Sequence, residues 1–450
     1  MKNQTCGDVP MASSKINTSK FLFSTLLAAG MITVGVTQAN AAAFYIQEQS
    51  VSTLGSASAG SAALAEDAST IFFNPAGMTE LSGPQMQVGF HALRPNADTT
   101  DLGSTATNGG GTVSTGTNDG GNPFDVEAIP NAYFAYPVTS DNSLWLGLGI
   151  SAPFGLANDY GSDWLGRYDS IESSLKTIGV APSIAYAPFD WLSIGGGVNI
   201  QYADAQLISA IPSPLTAGGP VVATDGRQDL AGDAVTAGFN VGILYKPFDG
   251  TRIGAHYRSA ISHELEGRVV ITNPVDAGGA VSVIGGNVGL DLPDIATVSV
   301  VQSVNDRLDL LGSVSWVGWK NFDSIPVEFD GGGGSTRTLN YEDTNAFAIG
   351  ARYQLNDDWI LRAGYQYDET PTNDEFRTTS IPDGDRQWFA AGASYDVDEN
   401  WTLDIGAVYV DVASETVDLT EVPTAGTSVT TNVETEGDVG ILSISATYRF

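Results

Sequence analysis

The chain closes on Asp438-Val439-Gly440-Ile441-Leu442-Ser443-Ile444-Ser445-Ala446-Thr447-Tyr448-Arg449-Phe450, and this stretch decides the fold. Leu442, Ile444, Ala446, Tyr448 and Phe450 fall on one face of an extended strand, whereas Ser443, Ser445, Thr447 and Arg449 fall on the other. Side chains alternate across a strand, so the segment presents one apolar and one polar surface. Lipid outside and a polar lumen inside match those surfaces, as in the last strand of a bacterial outer-membrane barrel ending on an aromatic residue. Phe450 is then the residue that periplasmic chaperones and the barrel-assembly machinery would read.

The opposite end agrees. Lys15 and Lys20 precede an apolar stretch over residues 21–36, and the small residues Ala39-Asn40-Ala41 follow. Basic, apolar and small regions in that order predict a signal peptide over 1–41, leaving a mature start near Ala42. The apolar stretch is shorter than the roughly 20 residues a spanning helix needs. Cys6 is the only cysteine and lies in the presequence, so the exported chain has no thiol to mispair in an oxidising compartment. The formal charge is -33, and Lys2, Lys15 and Lys20 against Asp8 in the presequence leave -35 for the remainder. Such an acidic chain is no nucleic-acid partner. The acidic residues read as solvated loops.

Between the ends runs a rhythm of paired strands. Short turns are expected at 140–142, 189–190, 248–250, 305–306, 356–358 and 398–400, where Asp, Asn and Gly suit tight hairpins. Trp191, Trp359 and Trp401 follow such turns, as in an aromatic girdle at the membrane interface. Stretches rich in Gly, Ser, Thr, Asp and Pro at 96–122, 211–228, 330–340 and 418–437 read as extracellular loops. Six short turns and their long-loop partners predict an all-β fold, a 14-stranded antiparallel transmembrane barrel over 84–450. Strands are expected to begin near Met86, Ala132, Leu144, Leu175, Leu192, Ala234, Arg252, Ala296, Leu308, Phe347, Trp359, Phe389, Leu403 and Val439.

Alternation also predicts facing. Leu192, Ile194, Val198, Ile200 and Tyr202 would meet lipid, with Ser193, Asn199 and Gln201 inside. Leu361, Ala363, Tyr365 and Tyr367 would face outward, with Arg362, Gln366 and Asp368 inside. A lipid-facing Arg or Lys near the midplane costs about 2–4 kcal/mol, so Arg252, His256, Arg258, Arg352 and Asp404 are also expected in the lumen.

Residues 42–83 lack strand alternation. They are rich in Ala, Ser and Gly, yet carry Phe44, Tyr45, Ile46, Ile71, Phe72 and Phe73, too much apolar surface for a solvated tail. They are expected to fold into the lumen as an N-terminal hatch, or plug.

Here the residues carry a resemblance. Ala42-Ala43-Phe44, Gly55 with Ala59, Gly60 and Ala63, Ala65-Glu66-Asp67-Ala68 and Asn74-Pro75-Ala76 resemble the hatch of the FadL family of outer-membrane transporters of long-chain fatty acids and hydrophobic compounds. Trp316-Val317-Gly318-Trp319 with Phe322, and the run from Ser380 through Arg386 to Trp388, resemble later signatures of that family. The resemblance implies a monomeric, multi-pass barrel in the Gram-negative outer membrane. It also implies passive uptake of long-chain fatty acids or related molecules through an apolar luminal pocket, and a lateral opening into outer-membrane lipid at an inward kink of the third strand, contacted by the Asn-Pro-Ala of the hatch.

In this chain the third strand is interrupted at Ser151-Ala152-Pro153-Phe154-Gly155. Pro removes a ladder donor and Gly weakens pairing, so a kink is expected there, although Pro153 ending the strand is the plainer alternative. The resemblance places Gly149, Ser151, Pro153, Phe154 and Gly155 at the opening, Asn74, Pro75 and Ala76 as its gate, and Phe44 near the pocket. An ionised head group taken out of water needs pairing, which makes Arg258, Arg352, Arg362 and Arg386 the ligand-binding candidates, each more readily read as a structural charge balancing luminal Asp and Glu. The stretch Tyr202-Ala203-Asp204-Ala205-Gln206 is acidic and neutral where relatives carry basic residues, which keeps aromatic hydrocarbons as an alternative cargo. A general porin or surface adhesin is the remaining alternative, disfavoured by a filled lumen.

No enzyme is indicated. The histidines are His91, His256 and His263, and His256 shares a luminal face with arginines, whereas a membrane lipase turns its base to lipid. No Cys or His cluster has metal-ligand spacing, and the glycines at 331–334 lack the Lys and helix of a phosphate loop, so neither metal nor cofactor is expected.

Overall fold

The computed structural model describes residues 43–108, 111–213, 225–424 and 426–450; the expected signal peptide and the start at Ala42 lie outside them. The ring runs through Gln85–Asp101, Glu127–Pro137, Leu144–Ser151 with its continuation Gly155–Asp159, Glu172–Phe189, Leu192–Ile211, Gly226–Phe248 and Thr251–Arg258. It continues through Ile295–Asn305, Leu308–Val317, Thr344–Gln354, Trp359–Asp368, Arg386–Asp396, Trp401–Thr424 and Thr427–Arg449. These are the first to fourteenth strands. Each is antiparallel to its neighbours, and the first pairs with the fourteenth from Gln85↔Arg449 to Asp101↔Val433, which closes the ring. Closure removes the sheet edges, the condition for crossing hydrocarbon with no unsatisfied backbone. No helix among the described residues is long and apolar enough to cross a membrane.

The alternation read from sequence is the one the barrel uses. On the last strand Leu442 is 66% exposed to the outside and Ser443 is 2% exposed within. Ile194, Val198, Ile200 and Tyr202 point out, while Ser193, Asn199, Gln201, His256, Arg258, Arg362, Gln366 and Asp404 are buried inside. Trp191, Trp359 and Trp401 are exposed beside the short turns.

The long loops depart from expectation. Residues 418–437 are not irregular: the last two strands stay paired through Thr416↔Glu434 and Thr420↔Thr430 and turn only between Thr424 and Thr427. Alternating Val and Thr carry the ladder on, and at about 3.3 Å per residue 23 residues reach ~75 Å, far beyond the roughly 30 Å of hydrocarbon. Gly334–Thr338, expected in a loop, pairs with Ser324–Phe329. A further hairpin, Ile261–Thr272 with Val281–Leu292, extends the wall between the sixth and eighth strands and pairs with the sixth.

Residues 43–82 lie within the ring, and almost all of them are buried. Their elements are short: helix Val51–Leu54 capped by Ser50, helix Thr70–Phe73, and the 3-10 helix Pro75–Glu80 capped by Asn74 with Pro75 at its first position. Luminal glycines let this backbone press on the wall. A Cβ on Gly254 would clash with the Ala62 carbonyl oxygen, and one on Gly364 with that of Ser56. Luminal hydroxyls supply partners where no helix does: Ser313 accepts from Gly60 N at 2.8 Å and Ser299 from Ala62 N at 3.1 Å.

Candidate functional site

The third strand breaks where Pro153 predicts. Its first part pairs with the fourth strand up to Ser151↔Gly179, and its second part resumes at Gly155↔Lys176. Four residues of advance on one side meet three on the other, so the strand carries one extra residue and bulges. Pairing with the second strand covers only Ala132↔Ile150 to Pro137↔Trp145. Beyond Ile150 the two strands part.

The displaced backbone is taken up by the start of the described chain. Gly155 N donates to Phe44 O and Ile46 N donates to Pro153 O, each at 2.9 Å, and Gln49 Nε2 donates to Ala152 O at 2.8 Å. Thr177 of the fourth strand accepts from Phe154 N at 2.9 Å and donates to Phe154 O at 2.6 Å. Every free backbone group made by the bulge at residues 152–155 that these bonds describe has a partner, which is how a break survives at membrane depth.

Asn74, Pro75 and Ala76 pack against the fifth and sixth strands. Asn74 Nδ2 donates to Ala62 O at 2.7 Å and to Ile243 O on the sixth strand at 3.0 Å, while its Oδ1 accepts from Ala76 N at 3.1 Å. Gly195 and Gly242 make room for this turn. The neighbours Ile71 and Met78 are what approach the third strand, at Gly147 and Gly149, where a Cβ would strike them. Asn74 uses its amide to tie the segment to itself and to the sixth strand, so its contact with the kink is indirect.

Phe44 sits in an aromatic enclosure, with ring centroids 4.8 Å from Trp319, 5.0 Å from Phe322 and 6.1 Å from Phe154. Tyr341 packs 5.3 Å from Phe322. Against this cluster lies an almost wholly apolar cavity of about 70 Å³, bordered by Phe44, Leu175, Leu265, Leu290, Phe322 and Leu339. Arg337 stands at its rim, ion-paired with Asp169. Beyond Arg337 a second cavity of about 90 Å³ has polar lining at Asp169, Ser173 and Gln228. Leu339, Tyr341 and Arg337 escaped the sequence reading, while Ile381 entered it only as part of the run from Ser380 to Trp388. Trp319 and Phe322 gave the available signal, as aromatics clustered where strand alternation stops.

The four candidate arginines separate. Arg352 and Arg362 share the two oxygens of Glu66, and Arg352 also reaches Asp309 at 3.2 Å. Burial raises the Glu66 carboxyl, but the Arg362 and Arg352 guanidinium groups outweigh it and hold the group at about 2. Both arginines border a polar chamber of about 380 Å³ below residues 64–67, remote in composition from the apolar cavity. Arg386 pairs with Asp383, whose other oxygen accepts from Ala43 N at 2.9 Å. Arg258 is different. It is buried, stacks 4.2 Å from the Phe72 ring, donates to Phe72 O at 3.1 Å and makes no carboxylate ion pair among the described residues. It borders the small space behind the bulge with Ser151, Pro153, Phe154, Asn199 and Gln201. Asn199 Nδ2, both Gln201 amide atoms and His256 Nε2 on the same luminal face are buried without hydrogen-bond partners.

A closed barrel with a lipid-facing apolar band and a lumen occupied by its own amino-terminal segment around an apolar cavity is an outer-membrane protein fitted to apolar cargo. The family described as "Outer membrane protein transport protein (OMPP1/FadL/TodX)" matches residues 32–450, and the chain belongs to that family. Outer membrane protein P1 of Haemophilus influenzae is 30% identical over 83% of this chain and 85% of its own length. The long-chain fatty acid transport protein of Escherichia coli K12 is 26% identical over 82% and 87%. Among solved structures, a Pseudomonas aeruginosa FadL homologue superposes with a TM-score of 0.82 at 24% identity, covering 90% of this chain and 99% of that one. The Pseudomonas putida toluene transporter TodX superposes with a TM-score of 0.64 at 18% identity, covering 93% and 100%. These two share the fold. The protein is an outer-membrane transporter of hydrophobic compounds.

Proposed function

We propose that the protein imports long-chain fatty acids or related hydrophobic molecules by passive diffusion, with residues 42–83 as the hatch and the bulge of the third strand as the lateral exit. The observation that carries this reading is the parting of the second and third strands beyond Ala132↔Ile150, with Phe44 bonded directly to the bulge. Cargo enters past Arg337, lies in the apolar cavity against Phe44, and leaves beside Pro153 into lipid. Glu66 and Asn74 hold the hatch across the lumen, so the axial path stays shut. Arg258 anchors a carboxylate head group at the exit, because it is the candidate arginine with no carboxylate of its own.

A second reading, import of aromatic hydrocarbons, is favoured by one observation: Trp319, Phe322 and Tyr341 ring the Phe44 enclosure, and Arg337 at the rim is already paired with Asp169. Uptake of labelled oleate and of toluene by cells lacking their own transporter separates the two. If neither enters faster than through an empty-vector membrane while small sugars do, the transport route proposed here is wrong.

A further inference from the structure

A separate cavity, of about 50 Å³, lies across Leu156 and Ile381 from the Phe44 enclosure and reaches a rim at Asn96 and Glu436. Val410, Val412, Val439 and Ile441 give it an apolar wall. Its inner end is polar. Glu48, Arg386 and Trp388 border it with exposures of 0%, 5% and 2%. Both carboxylate oxygens of Glu48, Nη1 of Arg386 and Nε1 of Trp388 have no hydrogen-bond partner among the described residues.

Each such atom costs about 1–3 kcal/mol when buried unpaired, so four in one cavity require a reason. Glu48 and Arg386 border one space, yet they form no ion pair; Arg386 spends its Nη2 on Asp383. We infer that Glu48, Arg386 and Trp388 form a second binding socket, separate from the Phe44 enclosure, for apolar molecules that carry a hydroxyl group.

The head group follows from the donor and acceptor count. A hydroxyl has one proton to give and two lone pairs to offer. It donates to Glu48 and accepts from Trp388 Nε1 and Arg386 Nη1 together. A carboxylate brings no proton for the Glu48 oxygens to accept, and an ammonium group opposes Arg386 and leaves Trp388 unpaired. A hydrocarbon pairs with none of them. The valine and isoleucine wall takes the alkyl or aryl body. Water is the competing occupant, since about 10–15 Å³ of cavity suffices for one molecule.

The test uses the full chain in lipid nanodiscs and compares equilibrium dialysis of 4-butylphenol with that of butylbenzene, each corrected for protein-free discs. Glu48→Leu and Trp388→Phe should each weaken 4-butylphenol binding about tenfold, equivalent to about 1.4 kcal/mol, while butylbenzene shifts less than twofold. Unchanged 4-butylphenol affinity would mean that water alone fills the socket. Parallel loss of both probes would mean that the wall, and not the polar end, does the binding. Either result overturns the inference. Trp388→Phe decides it alone if Glu48→Leu does not assemble, as judged by heat-modifiable mobility.

Discussion

The backbone N–H of Gly155 donates to the carbonyl of Phe44 at 2.9 Å, which makes the bulged third strand and the start of the described chain one hydrogen-bonded unit. The residue that faces the apolar cavity thus also supports the place where the wall is broken. Each part of the arrangement can be removed separately.

The bulge holds one residue more than its partner strand, so deleting Pro153 restores continuous pairing from Ser151↔Gly179 onward. The shortened strand should close against the wall, and oleate uptake should fall at least about tenfold while heat-modifiable mobility still reports a folded barrel. Undiminished uptake would show that cargo leaves by another path.

Arg258 has no carboxylate partner among the described residues, and hydrogen bonds to a charged group contribute about 1.5–3 kcal/mol. Arg258→Met should therefore raise the half-saturating oleate concentration by about tenfold or more and leave toluene uptake within twofold. A matching loss of both cargoes would assign Arg258 to packing against Phe72 instead.

Glu66 ties Arg352 and Arg362 to the segment 43–82. Its carboxyl is held at about 2, below its unfolded value of 4.5, so its contribution is full above pH 4.5 and is lost as pH falls toward 2. The shift corresponds to about 3 kcal/mol. Urea unfolding of wild type and Glu66→Gln should differ by that order at pH 7 and converge near pH 2. A difference that persists at low pH would point to packing.

Gly254 faces the Ala62 carbonyl with no room for a side chain. Gly254→Val should lift residues 60–63 from the seventh strand and open the axis, seen as a several-fold rise in single-channel conductance from a barrel of unchanged strand content. Wild-type conductance in a folded variant would argue against a hatch seated on this glycine.

The sequence alone determined the wall. Alternation of Leu442, Ile444 and Tyr448 against Ser443, Ser445 and Thr447 depends on nothing beyond the period of a strand and the contrast between lipid and lumen, so strand number, facing and the Trp191, Trp359 and Trp401 girdle were legible from it. Pro153 marked the bulge for the same local reason, the missing ladder donor. The interior was decided by tertiary structure. Residues 43–82 have no period, and their partners are 100 to 300 positions away: Phe44 with Phe154 and Trp319, Asn74 with Ile243, Glu66 with Arg352 and Arg362. Four arginines looked alike in sequence. The closed ring brought Glu66 to Arg352 and Arg362, a local contact three residues apart paired Arg386 with Asp383, and Arg258 has no carboxylate partner among the described residues.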